Sequence, residues 1–115
     1  MATSQLKAET RGGVTVISIL GPLSAQDVQK IEPEFKKVAL VPGQRMVIDL
    51  SQVEMLATPA ITMFMSAMMF QRSHNGRVIF TGTDGAIDKL LHICRLDLIM
   101  TIIHDSDAAV AQAAR

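Results

Sequence analysis

A chain of 115 residues, 49 % of them hydrophobic, fits one domain that buries a real core without disulfides or metals. Eleven basic residues balance 11 acidic ones, which argues against a nucleic-acid binder with a basic stripe and against a polybasic membrane anchor. The single cysteine, Cys94, excludes an internal disulfide and points to a reducing, cytoplasmic location.

Met1 to Gly13 is polar and lacks the apolar h-region of a signal peptide. Within it, Leu6 to Thr10 reads as a weak strand, and Gly12-Gly13 is a hairpin turn signal. Val14 to Leu20 (VTVISIL) is β-branched and reads as a strand, which Gly21-Pro22 then breaks. Val28, Ile31, Phe35 and Val38 recur at helical spacing, so Ala25 to Leu40 is an amphipathic helix. Pro33 lies inside it and predicts a kink or break, because proline lacks a donor and crowds the preceding turn.

Met46 to Leu50 (MVIDL) is a nearly continuous apolar run, as in a central parallel strand buried on both faces. The uncharged stretch Met55 to Gln71 is shorter than the ~20 residues of a comfortable membrane span, and Thr58, Pro59, Thr62 and Ser66 interrupt it. It reads as a turn followed by a very apolar helix over Ala60 to Arg72, with no membrane insertion. Ile61, Phe64, Met65 and Met68 make one apolar stripe on that helix, directed at the core. Met63, Met69 and Phe70 lie largely off the stripe and either pack under neighbouring segments or make an adaptable contact with a partner or a second copy of the chain.

Asn75-Gly76 ends the helix, Val78 to Thr81 is the next strand, and Gly82 to Gly85 (GTDG) is a loop in which Asp84 can cap the next helix. Ile87, Leu90, Leu91 and Cys94 mark that short helix, and Leu98 to Ile103 a last short strand. Asp105 to Arg115 is alanine-rich and reads as a terminal helix capped by Asp105 or Ser106. The alternation predicts a single α/β domain over residues 1–115, with a mixed sheet and helices mainly on one face.

Constellations that carry chemistry are absent from this pattern. His92 and Cys94 are two apart on one helix and face different sides, while His74 falls in a turn and His104 near a strand end. No metal or cofactor is expected from them. Asp49 stands at a strand end, where a turn bond accounts for it, and the GTDG loop lacks the lysine and spacing of a phosphate-binding loop. No catalytic residue is assigned. Thr58-Pro59 reads as a helix start, with Thr58 as the N-cap and Pro59 in the first helical position.

Taken together, the order of elements and several local motifs resemble the STAS domain of anti-sigma factor antagonists and sulphate-transporter tails. The strand followed by Gly21-Pro22-Leu23-Ser24 resembles that family's strand and Gly-Glu-Leu-Asp turn. VIDLSQVEML, Val47 to Leu56, resembles its hydrophobic-Asp-Leu-Ser-x-Val strand exit. Gly76-Arg77-Val78-Ile79-Phe80 resembles its Gly-Gly-x-Leu-x-Leu strand entry, and Leu91 to Leu96 its Leu-x-x-x-Gly-Leu helix ending.

The family's Asp-Ser-Ser-Gly or Asp-Ser-Thr-Gly motif, whose first hydroxyl residue is phosphorylated by a partner kinase, falls here on Ala57-Thr58-Pro59-Ala60. Thr58 keeps the hydroxyl, while Ala57, Pro59 and Ala60 replace the other three residues; Ser24 replaces the aspartate of the first turn. The resemblance implies a non-enzymatic regulator that binds an anti-sigma factor of the serine/threonine kinase type, with Thr58 as candidate phosphoacceptor. It implies a contact surface of Gly21, Pro22, Leu23, Ser24, Ala57, Thr58, Pro59, Ala60, Ile61 and Met63. The alternative is a constitutive docking subunit of a signalling scaffold or of a membrane transporter's ATPase complex. A homodimer through the methionine-rich helix is a further expectation.

Overall fold

The computed structural model describes residues 5–83 and 85–115, so the expected cap at Asp84 lies outside the described residues. The elements are β1 (Gln5–Arg11), β2 (Val14–Leu20), α1 (Ala25–Ala39), β3 (Arg45–Gln52), α2 (Thr58–Ser73), β4 (Arg77–Thr81), α3 (Gly85–Ile93), β5 (Thr101–Ile102) and α4 (Ser106–Ala114). A single 3-10 turn, Leu96–Leu98, precedes β5. The strands form one sheet in chain order, β1-β2-β3-β4-β5, with β1 antiparallel to β2 and the other pairs parallel.

The hairpin joining β1 to β2 turns at Gly12 and Gly13, both with positive φ (57° and 82°), the geometry that a two-residue turn of matching twist requires. Each later crossover steps one strand in the same direction. Right-handed connections then put α1, α2 and α3 on the same face of the sheet. Their buried residues, among them Val28, Ile31, Phe35, Met63, Phe64, Ile87 and Leu91, close over Ile17, Ile19, Met46, Ile48 and Phe80. Phe64 sits between Phe35 and Phe80 with both ring pairs edge-on at 5.8 Å, a favoured aromatic arrangement. No strand follows β5, so α4 is free to cross to the other face, where Ala109 and Ala113 cover Val14, Val16, Val47 and Ile79. β2, β3 and β4 are thus buried on both sides, which is why their sequences are nearly continuous apolar runs.

Several expectations need correction. α1 runs unbroken through Pro33. Pro33 and Gln29, whose carbonyl loses its helical partner, both lie on the exposed face, where water can serve that carbonyl. Val28, Ile31 and Phe35 anchor the helix on either side of it. The final strand is two residues rather than six, because Arg95 adopts a left-handed conformation (φ 58°) and the chain coils into the 3-10 turn before pairing. Met63, expected off the core stripe of α2, is buried, together with Ala60, Phe64, Ala67, Met68 and Gln71. The stripe is rotated because α2 packs against α1 as well as the sheet.

Candidate functional site

The two turns singled out in the sequence are one structure. Gly21 follows β2 and donates its N–H to the Gln52 carbonyl at 2.9 Å. Leu23 N–H donates to Met55 O at 3.0 Å, and Ala57 N–H donates to Leu23 O at 2.9 Å. Leu23 and Leu56 form an isolated parallel bridge, so the β2–β3 pairing resumes beyond the strand ends and ties both turns into one ridge. Leu23 and Leu56 are buried beneath it and give it a rigid floor.

Both turns lead directly into helices. Ser24 caps α1: its hydroxyl accepts from Asp27 N–H at 3.2 Å, while the Asp27 carboxylate accepts from Ser24 N–H at 3.4 Å. This reciprocal capping box was present in the sequence as Ser24-x-x-Asp27 and explains why serine suffices at that position. α2 begins differently. Its N-cap is Ala57, whose side chain has no oxygen to offer the free amides, with Thr58 and Pro59 as the first two helical residues. The expectation that Thr58 is the cap is therefore corrected by one position. Thr58 has entered the helix, and its hydroxyl accepts no amide proton. The first turn of α2 carries no acidic residue of its own, so its N–H groups and the positive end of the helix dipole face this surface without a carboxylate from within the helix.

The exposure of the ten candidate residues divides them. Thr58 and Pro59 are exposed; Gly21, Pro22, Ser24, Ala57 and Ile61 are half-buried; Leu23, Ala60 and Met63 are buried. The first seven contribute surface, and the last three shape it from below. Met55, 44 % exposed beside the ridge, was not singled out. Its only sequence signal was an apolar residue between the strand exit and the Ala57–Ala60 motif.

A second concave region lies between α3 and the segment after β5, with a volume of about 570 Å3 lined by Asp88, Lys89, His92, Asp97 and His104 among others. Here two His–Asp pairs occur that the spacing of the sequence did not reveal: His92 Nδ1 to Asp97 at 3.1 Å and His104 Nε2 to Asp88 at 3.3 Å. Thr83 Oγ1 also donates to Asp88 at 3.1 Å. The hydrogen bonds from His104, then Thr83, hold the Asp88 carboxyl below its ordinary range. The Asp88 carboxylate thus stands between the Thr83 hydroxyl and the His104 imidazole and ties the start of α3 to the segment after β5. Asp49 accepts from Ser51 N–H at 2.9 Å, the turn bond expected of it. His74 stacks on Phe70 with ring centres 4.2 Å apart. Among the described residues, no group of three or more His, Cys, Asp and Glu side chains is placed to hold a metal, and no helix is long and apolar enough to cross a membrane.

The STAS domain model matches residues 5–109 of the chain. Similar solved structures include an anti-sigma factor antagonist from Mycobacterium paratuberculosis (19 % identity, TM-score 0.87, covering 98 % of this chain and 96 % of that one). A STAS domain protein from Planctomyces limnophilus is similar at 18 % identity and TM-score 0.86, over 98 % of this chain and 100 % of that one. The Bacillus cell fate determinant SpoIIAA in its phosphorylated form is similar at 14 % identity and TM-score 0.69, over 94 % and 98 %. No curated protein sequence matches the chain.

Proposed function

The chain belongs to the STAS domain family, and from that premise we propose that it is a regulatory binding module of the anti-sigma factor antagonist type. Its partner in this reading is an anti-sigma factor of the serine/threonine kinase type, in the cytoplasm. The contact face is the ridge of Gly21–Ser24 and Ala57–Ala60 with the first turn of α2. The observation that carries the reading is the pair of hydrogen bonds through Leu23, which fuse two turns distant in sequence into one rigid surface. A rigid, half-apolar surface with few charges suits protein recognition, since little is lost in ordering it on binding.

Thr58 is the regulated position in this reading. It is exposed and stands in the first turn of α2, where a phosphate group gains from the free amides and the helix dipole. Adding about −1.5 to −2 charges there changes the face presented to the partner without disturbing the fold. The test is incubation with the kinase-type anti-sigma factor of the same organism and ATP, with phosphopeptide mass spectrometry as the readout. Phosphate on Thr58, with release of the partner, is the expected result. A stable complex with Thr58 unmodified would instead identify a constitutive docking subunit, for which Ala57 in place of the family's aspartate is the favouring observation.

A further inference from the structure

β1 is an edge strand: it pairs with β2 on one side, and no described strand pairs with it on the other. Edge strands invite pairing with another chain unless their side chains oppose it. Six of its seven residues are exposed. Its side chains alternate, with Arg11 opposite Val14 and Glu9 opposite Val16, two residues of the core beneath α4. Gln5, Lys7, Glu9 and Arg11 therefore all stand on the α4 face, and Arg11 indeed reaches Asp107 of α4 at 3.2 Å. Leu6, Ala8 and Thr10 stand on the face of α1.

Two copies meeting edge to edge around a two-fold axis perpendicular to the sheet must pair antiparallel, with each face staying on its own side. Directly opposed residues then share a face, so one β1 residue lies opposite itself at the axis. An axis at Lys7 opposes lysine to lysine. An axis at Glu9 opposes glutamate to glutamate and Lys7 to Arg11. An axis at Ala8 opposes Lys7 to Glu9 of the second copy, twice, and Gln5 to Arg11, twice. That register is also the one in which the strand Gln5–Arg11 overlaps itself along its whole length. The charges reject the two neighbouring registers, and full overlap of the strand favours this one over an axis at Thr10, which would also oppose Glu9 to Arg11 but pair fewer residues of the strand.

On the other face, Leu6 falls opposite Thr10 of the second copy. Thr10 borders a cleft of about 240 Å3 lined also by Ala8, Val38 and Val41, and Val41 is 50 % exposed. Leu6, half-buried against its own core, thus brings its remaining exposed side next to apolar surface that the single chain leaves in water. We propose that the β1 edge is a self-complementary interface through which two copies of this chain join their sheets antiparallel about Ala8. The assembly differs from one through the methionine-rich helix, and it does not depend on the reading of Thr58.

The test is sedimentation equilibrium of the full chain over a wide concentration range at low salt. A reversible monomer–dimer equilibrium is expected, weakening as salt is raised because the charged pairs are exposed. Lys7→Glu alone and Glu9→Lys alone each bring like charges together and should raise the dissociation constant about tenfold or more. The double variant Lys7→Glu/Glu9→Lys restores opposite charges and should restore the dimer. Ala8→Cys in a Cys94→Ser background should give a disulfide-linked dimer on mild oxidation, because facing residues of an antiparallel pair have Cα atoms ~4.5–5.5 Å apart. A chain that stays monomeric, a dimer indifferent to the single charge reversals, or a double variant that fails to regain it while remaining folded would overturn the proposal.

Discussion

The side-chain oxygen of Gln71 occupies the space that a β-carbon on Gly76 would need, with the Gln44 carbonyl closing the same space from the other side. Gln71 is itself fully buried and fully used. Its Oε1 accepts from Gln44 N–H at 2.9 Å, its Nε2 donates to the carbonyls of Ala39 and Val41 at 2.7 Å each, and its backbone carbonyl accepts from Gly76 N–H at 2.7 Å. One residue thereby fastens the end of α1 and the entry to β3 through its side chain, and the entry to β4 through its backbone carbonyl. Gly76→Ala should cost about 3 kcal/mol, since neither the backbone carbonyl nor the committed amide can yield. Gln71→Ala should cost a comparable amount by leaving buried polar groups without partners, each worth about 1–3 kcal/mol. Urea unfolding of both variants checks this, and a loss below about 1 kcal/mol for Gly76→Ala would contradict the packing described.

Arg95 occupies the left-handed position that ends α3, where the family motif carries glycine. Its N–H bonds the His92 carbonyl at 3.0 Å, a helix-terminating bond that any residue can make. The left-handed conformation costs a side chain about 1–2 kcal/mol. Arg95→Gly should therefore raise stability by roughly 1 kcal/mol, and Arg95→Ala should leave it nearly unchanged. Thermal melts distinguish the two; equal melting temperatures for both variants would place the cost elsewhere.

The start of α2 gives a positional test. Thr58 lies one residue inside the helix with no capping bond, so Thr58→Ala should change stability by no more than about 0.5 kcal/mol. Ala57 is the cap position, and Ala57→Asp should add about 1 kcal/mol by supplying the missing acceptor. Stabilisation by Ala57→Asp together with indifference to Thr58→Ala would establish the register of the helix start. The reverse pattern would put the cap back at Thr58.

Acid should loosen the α3 end of the molecule. The Asp88 carboxyl is held below its ordinary value of 3.8, chiefly by the hydrogen bond from His104 and then by that from Thr83. A carboxyl depressed in the folded state contributes stability above its ordinary range, and that contribution is lost as pH falls through the depressed value. His104→Ala should shrink this acid-side loss. Melting temperatures of both proteins across the acid range provide the check; identical acid limbs would show that the His104 bond does not act on Asp88.

Most of the fold was legible because its signals were local. The Gly12-Gly13 hairpin, the apolar runs of β2 and β3, and the stop at Asn75-Gly76 each depend on a few adjacent residues. What the sequence hid depends on contacts across the chain. Pro33 is tolerated because α1 happens to turn it to water. Met63 is buried because α2 leans on α1, which periodicity within α2 alone does not report. The His92–Asp97 and His104–Asp88 pairs join residues from α3 to segments beyond it. Of the candidate face, the two turns were readable as motifs, but their fusion through Leu23 and Ala57 was visible only once β2 and β3 were paired. The placement of Thr58 at the first helical residue turned on a single position, the scale at which helix ends are hardest to read.

The fused ridge as a partner-binding face, switched at Thr58, is tested most directly by calorimetric titration of the kinase-type anti-sigma factor with the wild-type chain and with Thr58→Asp. Aspartate in the first turn of a helix is well tolerated, so the variant should fold with its stability intact. The account predicts a tight complex with the wild-type chain and at least about tenfold weaker binding by Thr58→Asp, a difference of roughly 1.4 kcal/mol or more. Equal affinities for the two folded proteins would contradict it.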